Sequence, residues 1–97
     1  MPERLTDQQL TDALRSLPDW RREGGTLQRS VVAEDFPAAI RLVVAVAETA
    51  ESMNHHPDID IRWRTLNFAL STHSAGGLTS LDLDLAGRID ALAAAEL

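Results

Sequence analysis

The chain has 97 residues, 44% of them apolar, with 15 Asp and Glu against 9 Lys and Arg for a net charge of −6, and no cysteine. That charge argues against direct binding to nucleic acid or an anionic membrane surface, both of which need clustered Lys and Arg. The absence of cysteine excludes disulfides and thiolate chemistry, and the length predicts one domain over residues 1–97.

In chain order, Thr6 followed by Gln9 forms a capping-box pattern. Leu10, Ala13, Leu14 and Leu17 follow at i, i+3, i+4 and i+7, which predicts an amphipathic helix ended by Pro18. From Trp20 to Val32 the chain reads as a hairpin turned at Glu23-Gly24-Gly25-Thr26, where glycine accepts positive φ. Asp35 predicts an N-cap before Phe36 and Pro37. Phe36, Ala39, Ile40, Val43, Ala47 and Ala50 then make one apolar stripe, which Val44 and Val46 widen. A helix apolar over so much of its girth should be covered on more than one side. Its last turn holds Glu51 and runs into His55, His56 and Pro57.

Ile59, Ile61 and Trp63 alternate with Asp60, Arg62 and Arg64, and Leu66, Phe68 and Leu70 alternate with Asn67, Ala69 and Ser71. Period two predicts two strands joined by a tight turn near Arg64-Thr65, with His73 just past the second. Gly76-Gly77 predicts a loop. Thr79 is the expected N-cap of a last helix, with Asp82 at N3 and Leu78 stapled onto Leu83. Leu81, Leu85, Ile89, Leu92 and Ala93 supply its apolar stripe. The order α-β-β-α-β-β-α predicts an α+β fold: a four-stranded antiparallel sheet with three helices on one face. The other face, or a free edge, would be available for pairing with a second subunit.

The first residues, Met1 to Thr6, lack the apolar core of a signal peptide, and the apolar run Leu42–Ala47 is too short to cross a bilayer. The expected location is cytoplasmic, with no membrane partner.

His55, His56 and His73 are the only histidines, and histidine exchanges protons near neutral pH without tuning. Adjacent helical residues point roughly 100° apart, so His55 and His56 need not act on one atom. Glu51, one turn before His55, is placed to hydrogen-bond an imidazole and fix its tautomer. Read from residues alone, the histidines stay open between polar packing at a helix end, a zinc site and proton transfer. No H-x-x-x-H spacing supports zinc. Asp82 reads equally as a simple helix cap, Glu51 as a solvated carboxylate, and Trp20 and Trp63 as core or interface residues.

The two-part pattern Glu51-x-x-x-His55-His56-Pro57, then a hairpin, then Thr72-His73-x-x-Gly76-Gly77-Leu78-Thr79-x-x-Asp82 resembles the pterin-4a-carbinolamine dehydratase family. The likeness extends over nearly the whole chain. It implies a hydro-lyase that removes water from a 4a-hydroxytetrahydropterin to give a quinonoid dihydropterin, recycling the pterin used by aromatic amino-acid hydroxylases. It implies no metal and no cofactor beyond the pterin substrate, and a homodimer or homotetramer. On it, the catalytic set is His55, His73 and His56, with His55 and His73 the acid–base pair and His56 orienting the pterin. Asn54, His55, His56, Ser71, Thr72, His73 and Ser74 would contact substrate, supported by Glu51 and Asp82. Many relatives carry an aromatic residue two positions after the motif proline, where this chain has Ile59; Trp63, on the same strand parity, is a candidate replacement. The competing reading is a non-enzymatic dimeric scaffold or regulatory partner that keeps the fold, suggested by the wide apolar face of the Phe36–Ala50 helix.

Overall fold

The computed structural model describes residues 2–96. Helix α1 (Asp7–Leu14) opens with the predicted capping box: Gln9 N–H donates to Thr6 Oγ1 at 3.1 Å and Thr6 N–H to Gln9 Oε1 at 2.8 Å. The helix stops earlier than the apolar stripe suggests. Arg15, Ser16 and Leu17 make i→i−3 bonds instead, because Pro18 disfavours α geometry in the residue before it. Leu10 and Leu17 are buried all the same.

Strands β1 (Arg21–Glu23), β2 (Thr26–Val32), β3 (Asp58–Arg62) and β4 (Thr65–Leu70) form one antiparallel sheet in the order β1-β2-β4-β3. The register pairs Leu27 with Leu70 and Val31 with Leu66, so these side chains share a face, since residues directly opposite point the same way. Helix α2 (Phe36–Met53) contributes Ala39, Leu42 and Val46 to that buried face, and helix α3 (Ser80–Glu96) contributes Leu85 and Ile89. Each fully buried Leu or Ile adds roughly 1.5–3 kcal/mol. The architecture is the expected one. On the opposite face Ser30, Asn67 and Asp60 line up across three strands. Asn67 Nδ2 donates to Asp60 Oδ2 at 2.8 Å and Arg62 Nε to the same oxygen at 3.0 Å. Those two hydrogen bonds, Asn67 first, hold the Asp60 carboxyl below the usual carboxylate range.

Two features depart from the periodic reading. Arg29 lies opposite Phe68, on the apolar face, where alternation alone would place a hydrocarbon side chain. Its guanidinium pairs with Asp90 of α3 and lies 3.5 Å from Asp19, while Trp20 Nε1 donates to Asp90 at 2.8 Å. The second departure is the β3–β4 turn, which is Trp63-Arg64 rather than Arg64-Thr65, since Arg62 pairs with Thr65. Trp63 takes positive φ (54°), leaves the strand and is 72% exposed, with the Arg64 guanidinium 5.1 Å from its ring centroid. Arg64 is anchored in turn: Ala33 N–H donates to its carbonyl at 2.9 Å, and its guanidinium to the Ala33 carbonyl at 3.3 Å.

Candidate active site

Helix α2 is capped at its start by Asp35, whose carboxylate accepts Ala38 N–H at 2.8 Å, and at its end by Asn54 in the left-handed conformation (φ 50°, ψ 42°). Asn54 N–H bonds the Glu51 carbonyl and His55 N–H the Ala50 carbonyl, both at 3.1 Å. These two bonds with a left-handed residue are a Schellman ending, for which Asn is the usual substitute when Gly is absent. The ending decides the fate of the histidines. Both lie beyond the helix, so helical spacing does not bring Glu51 to His55. Glu51 Oε2 instead meets His56 Nε2 at 2.9 Å, and both side chains are largely solvated. His55 turns inward and is only 8% exposed.

At the same end of the sheet, β4 leads into Thr72, which makes an isolated antiparallel bridge with Gly77. Between them His73–Ala75 forms a single 3-10 turn, with Gly76 (φ 71°) closing it. His73 and Ser74 are exposed, Ser71 is half-buried and Asn54 is exposed. Thr72 is buried, and its hydroxyl faces inward to Asp82.

Asp82, in the first turn of α3, is completely buried and joins these segments. One oxygen, Oδ1, meets His55 Nε2 at 2.7 Å. The other, Oδ2, accepts Thr79 N–H at 2.9 Å and the Thr72 hydroxyl at 2.7 Å. Because Thr72 spends its only hydroxyl proton on Asp82, the 2.8 Å contact between Thr72 Oγ1 and Thr79 Oγ1 must be donated by Thr79. Thr79 Oγ1 accepts Leu81 N–H at 3.2 Å. The hydroxyl and backbone protons of the network are thereby assigned. Asp82 is the expected cap of α3 and a good deal more: three donors and a helix N-terminus compensate a carboxylate cut off from water.

The pairing also sets the imidazole. With Nε2–H given to Asp82, neutral His55 presents Nδ1 as a lone pair. Among the described residues Nδ1 has no hydrogen-bond partner, and it is not sealed from solvent as the unpaired Arg29 Nε is. Two solvated imidazoles adjoin the network in sequence, His56 next to His55 and His73 next to Thr72. Ile59 is half-buried near the start of β3. Trp63 lies past the other end of that strand, roughly 13 Å along it from Ile59. Within this chain it does not stand in for an aromatic at Ile59.

No three His, Asp or Glu side chains of the described residues converge as metal ligands. His55 and His56 turn to different carboxylates, one buried and one solvated. No helix of the described residues is long and apolar enough to cross a membrane.

The long-range link from His55 to Asp82, and the part of Thr79 in it, were not legible in the sequence. The available signal was that Thr79 and Asp82 close a cap directly beside the His73 loop.

Known proteins share this arrangement of elements. The family described as pterin 4 alpha carbinolamine dehydratase matches residues 3–92. A protein of Nocardia farcinica provisionally named pterin-4-alpha-carbinolamine dehydratase is 64% identical over 94% of this chain and 96% of its own length. A Mycobacteroides abscessus protein with the same provisional name is 57% identical over 89% of this chain and 92% of its own. Among solved structures, the transcriptional coactivator/pterin dehydratase of Brucella melitensis superposes with a TM-score of 0.91 at 32% identity, covering 94% of this chain and 99% of that one. A pterin dehydratase-like protein identified as a RuBisCO assembly factor in the alpha-carboxysome shares the fold at a TM-score of 0.67 and 24% identity, over 77% of this chain and 89% of that one. On the family match and these identities, the chain belongs to the pterin 4 alpha carbinolamine dehydratase family.

Proposed function

We propose that this protein dehydrates a 4a-hydroxytetrahydropterin to a quinonoid dihydropterin. The observation that carries the reading is His55, buried, held by Asp82 in one tautomer, with Nδ1 left open. In the reaction the bond from ring carbon 4a to its hydroxyl breaks as that oxygen takes a proton and leaves as water. The proton on ring nitrogen 5 passes to a base, and its electron pair forms the new double bond between nitrogen 5 and carbon 4a. His55 Nδ1 is the base, and the buried Asp82 carboxylate stabilises the imidazolium that results. His73, solvated and on the neighbouring loop, protonates the leaving hydroxyl. Each transfer is worth about 10²–10⁴-fold. His56, steadied by Glu51, orients the pterin. Asn54, Ser71, Ser74 and the backbone of Thr72 line its path. The Asp82 network needs no metal for either proton step.

The same reading places the enzyme in the cytoplasm, recycling the pterin of an aromatic amino-acid hydroxylase, as one domain that assembles into a homodimer or homotetramer. Assembly is favoured by the flank of α2 that the chain leaves uncovered. Val43, Val44 and Ala47 line an apolar groove of about 680 Å³ there, and Val44 is 51% exposed. The purified protein should speed disappearance of 4a-hydroxytetrahydropterin released by a hydroxylase, followed by its ultraviolet absorbance. A rate equal to the buffer control removes the enzymatic reading.

One observation favours a second role. The uncovered α2 flank also suits a non-enzymatic scaffold or regulatory partner, and the Brucella melitensis relative carries a coactivator name beside its dehydratase name. Stoichiometric recovery of a protein partner, with no pterin binding by calorimetry, supports that role over the first.

A further inference from the structure

His73 is exposed and has no side-chain hydrogen bond among the described residues, so no polar partner fixes its ring and the loop backbone carries it. Inside the loop, Gly76 N–H bonds the His73 carbonyl and Thr72 N–H the Gly77 carbonyl, both at 3.0 Å. From outside, the segment before α1 straps the loop down. Leu5 N–H donates to the Leu78 carbonyl at 2.8 Å, and Arg4 Nη1 donates to the Gly76 carbonyl at 3.3 Å. The stem of Arg4 lies on Gly77 so closely that a Cβ there would come within 2.8 Å of Arg4 Cδ and 3.3 Å of Cγ. Gly77 does not have positive φ, so its lack of a side chain serves this contact rather than a turn. The other arginine of the adjoining groove, Arg22, is already engaged by Asp7 at 2.8 Å and the Gly24 carbonyl at 3.0 Å.

We propose that Arg4 is a positioning residue for His73, acting through Gly76 and Gly77, with Gly77 kept free of a side chain so that Arg4 can lie against the loop. The inference rests on the dehydratase reading for its effect on rate, though not for its effect on the ring. Acid catalysis requires the donor within hydrogen-bond reach of the leaving oxygen, and a misplacement of about 1 Å costs up to about 10²-fold.

The test compares Arg4→Ala, Gly77→Ala, the double variant and Arg4→Lys. His73 is followed by carbon-detected ring resonances and relaxation dispersion, and dehydration by kcat and KM. Arg4→Ala should broaden or shift the His73 ring signals and leave those of His55 in place. It should lower kcat about 5–30-fold with KM within about two-fold. Gly77→Ala should do the same by displacing Arg4, so the double variant should be no worse than the more impaired single one. Lysine, which can still reach the Gly76 carbonyl, should restore most of the rate. His73 signals of Arg4→Ala that superpose on the parent overturn the proposal, as do effects of the two substitutions that multiply. A parent protein without dehydratase activity refutes the proposed function instead, and the ring signals then decide the strap alone.

Discussion

Replacing Asp82 by Asn tests the buried network at its centre. The two side chains have the same shape, but Asn offers one oxygen and one NH₂ where Asp offers two oxygens. Asp82 now accepts from His55 on Oδ1 and from Thr79 N–H and Thr72 on Oδ2. If the Asn oxygen faces Thr79 and Thr72, its NH₂ faces His55 Nε2, and His55 must move its proton to Nδ1. If the amide is flipped, His55 keeps its proton but Thr79 N–H is left buried without an acceptor, at about 1–3 kcal/mol. The first arrangement is cheaper and should win, with a modest stability loss of about 1 kcal/mol from weaker, uncharged hydrogen bonds. For a domain of this size that is a fall of about 4–8 °C in Tm. The cost to chemistry is larger, because the nitrogen that faces substrate changes from acceptor to donor. A drop of about 10²–10⁴-fold in kcat is expected. Nitrogen-15 imidazole shifts would report the tautomer directly, beside thermal unfolding and turnover. A variant with the parent tautomer and parent kcat refutes the assignment of His55 as base.

Three further outcomes follow from the same geometry. Asp90→Ala strips the partner from both Arg29 and Trp20 Nε1, and should cost about 1–3 kcal/mol by urea unfolding, since Asp90 is partly solvated. Asn54→Ala should destabilise by about 1 kcal/mol, because alanine resists the left-handed helix ending, whereas Asn54→Gly should not; equal losses would rule out the backbone explanation. The Asp60 carboxyl should titrate below the usual carboxylate range by NMR, and a normal or raised value contradicts its bonds to Asn67 and Arg62. Its folded pKa being the lower one, the small stability it adds is present above the unfolded-state pKa and lost as pH falls through the folded value.

The elements were legible because their signals are local. Alternation at Leu66, Phe68 and Leu70, and caps at Thr6 and Asp35, depend on residues a few positions apart. Errors arose where local rules meet. At the end of α1, the α-disfavouring effect of Pro18 outweighed the apolar stripe. At Trp63, strand parity continued in sequence past the point where the Arg62–Thr65 pairing closes the strand. Arg29 breaks alternation because Asp90, 61 residues away, supplies its counter-charge. The site divides in the same way. The candidate residues were visible as a pattern of types, and they do gather at one end of the sheet. Their pairing was not visible. Glu51 is placed by its spacing to reach an imidazole, and the left-handed Asn54, by ending the helix, makes that imidazole His56. The partner of His55 comes from 27 residues further on, and only the fold brings it there.

The most direct test of the central claim is the dehydration rate of the His55→Ala, His73→Ala double variant, measured beside the parent with circular dichroism and unfolding to confirm the fold. The account predicts a parent rate well above buffer and a double variant, still folded, at the buffer rate. A folded double variant that retains the parent rate would show that neither histidine moves the protons.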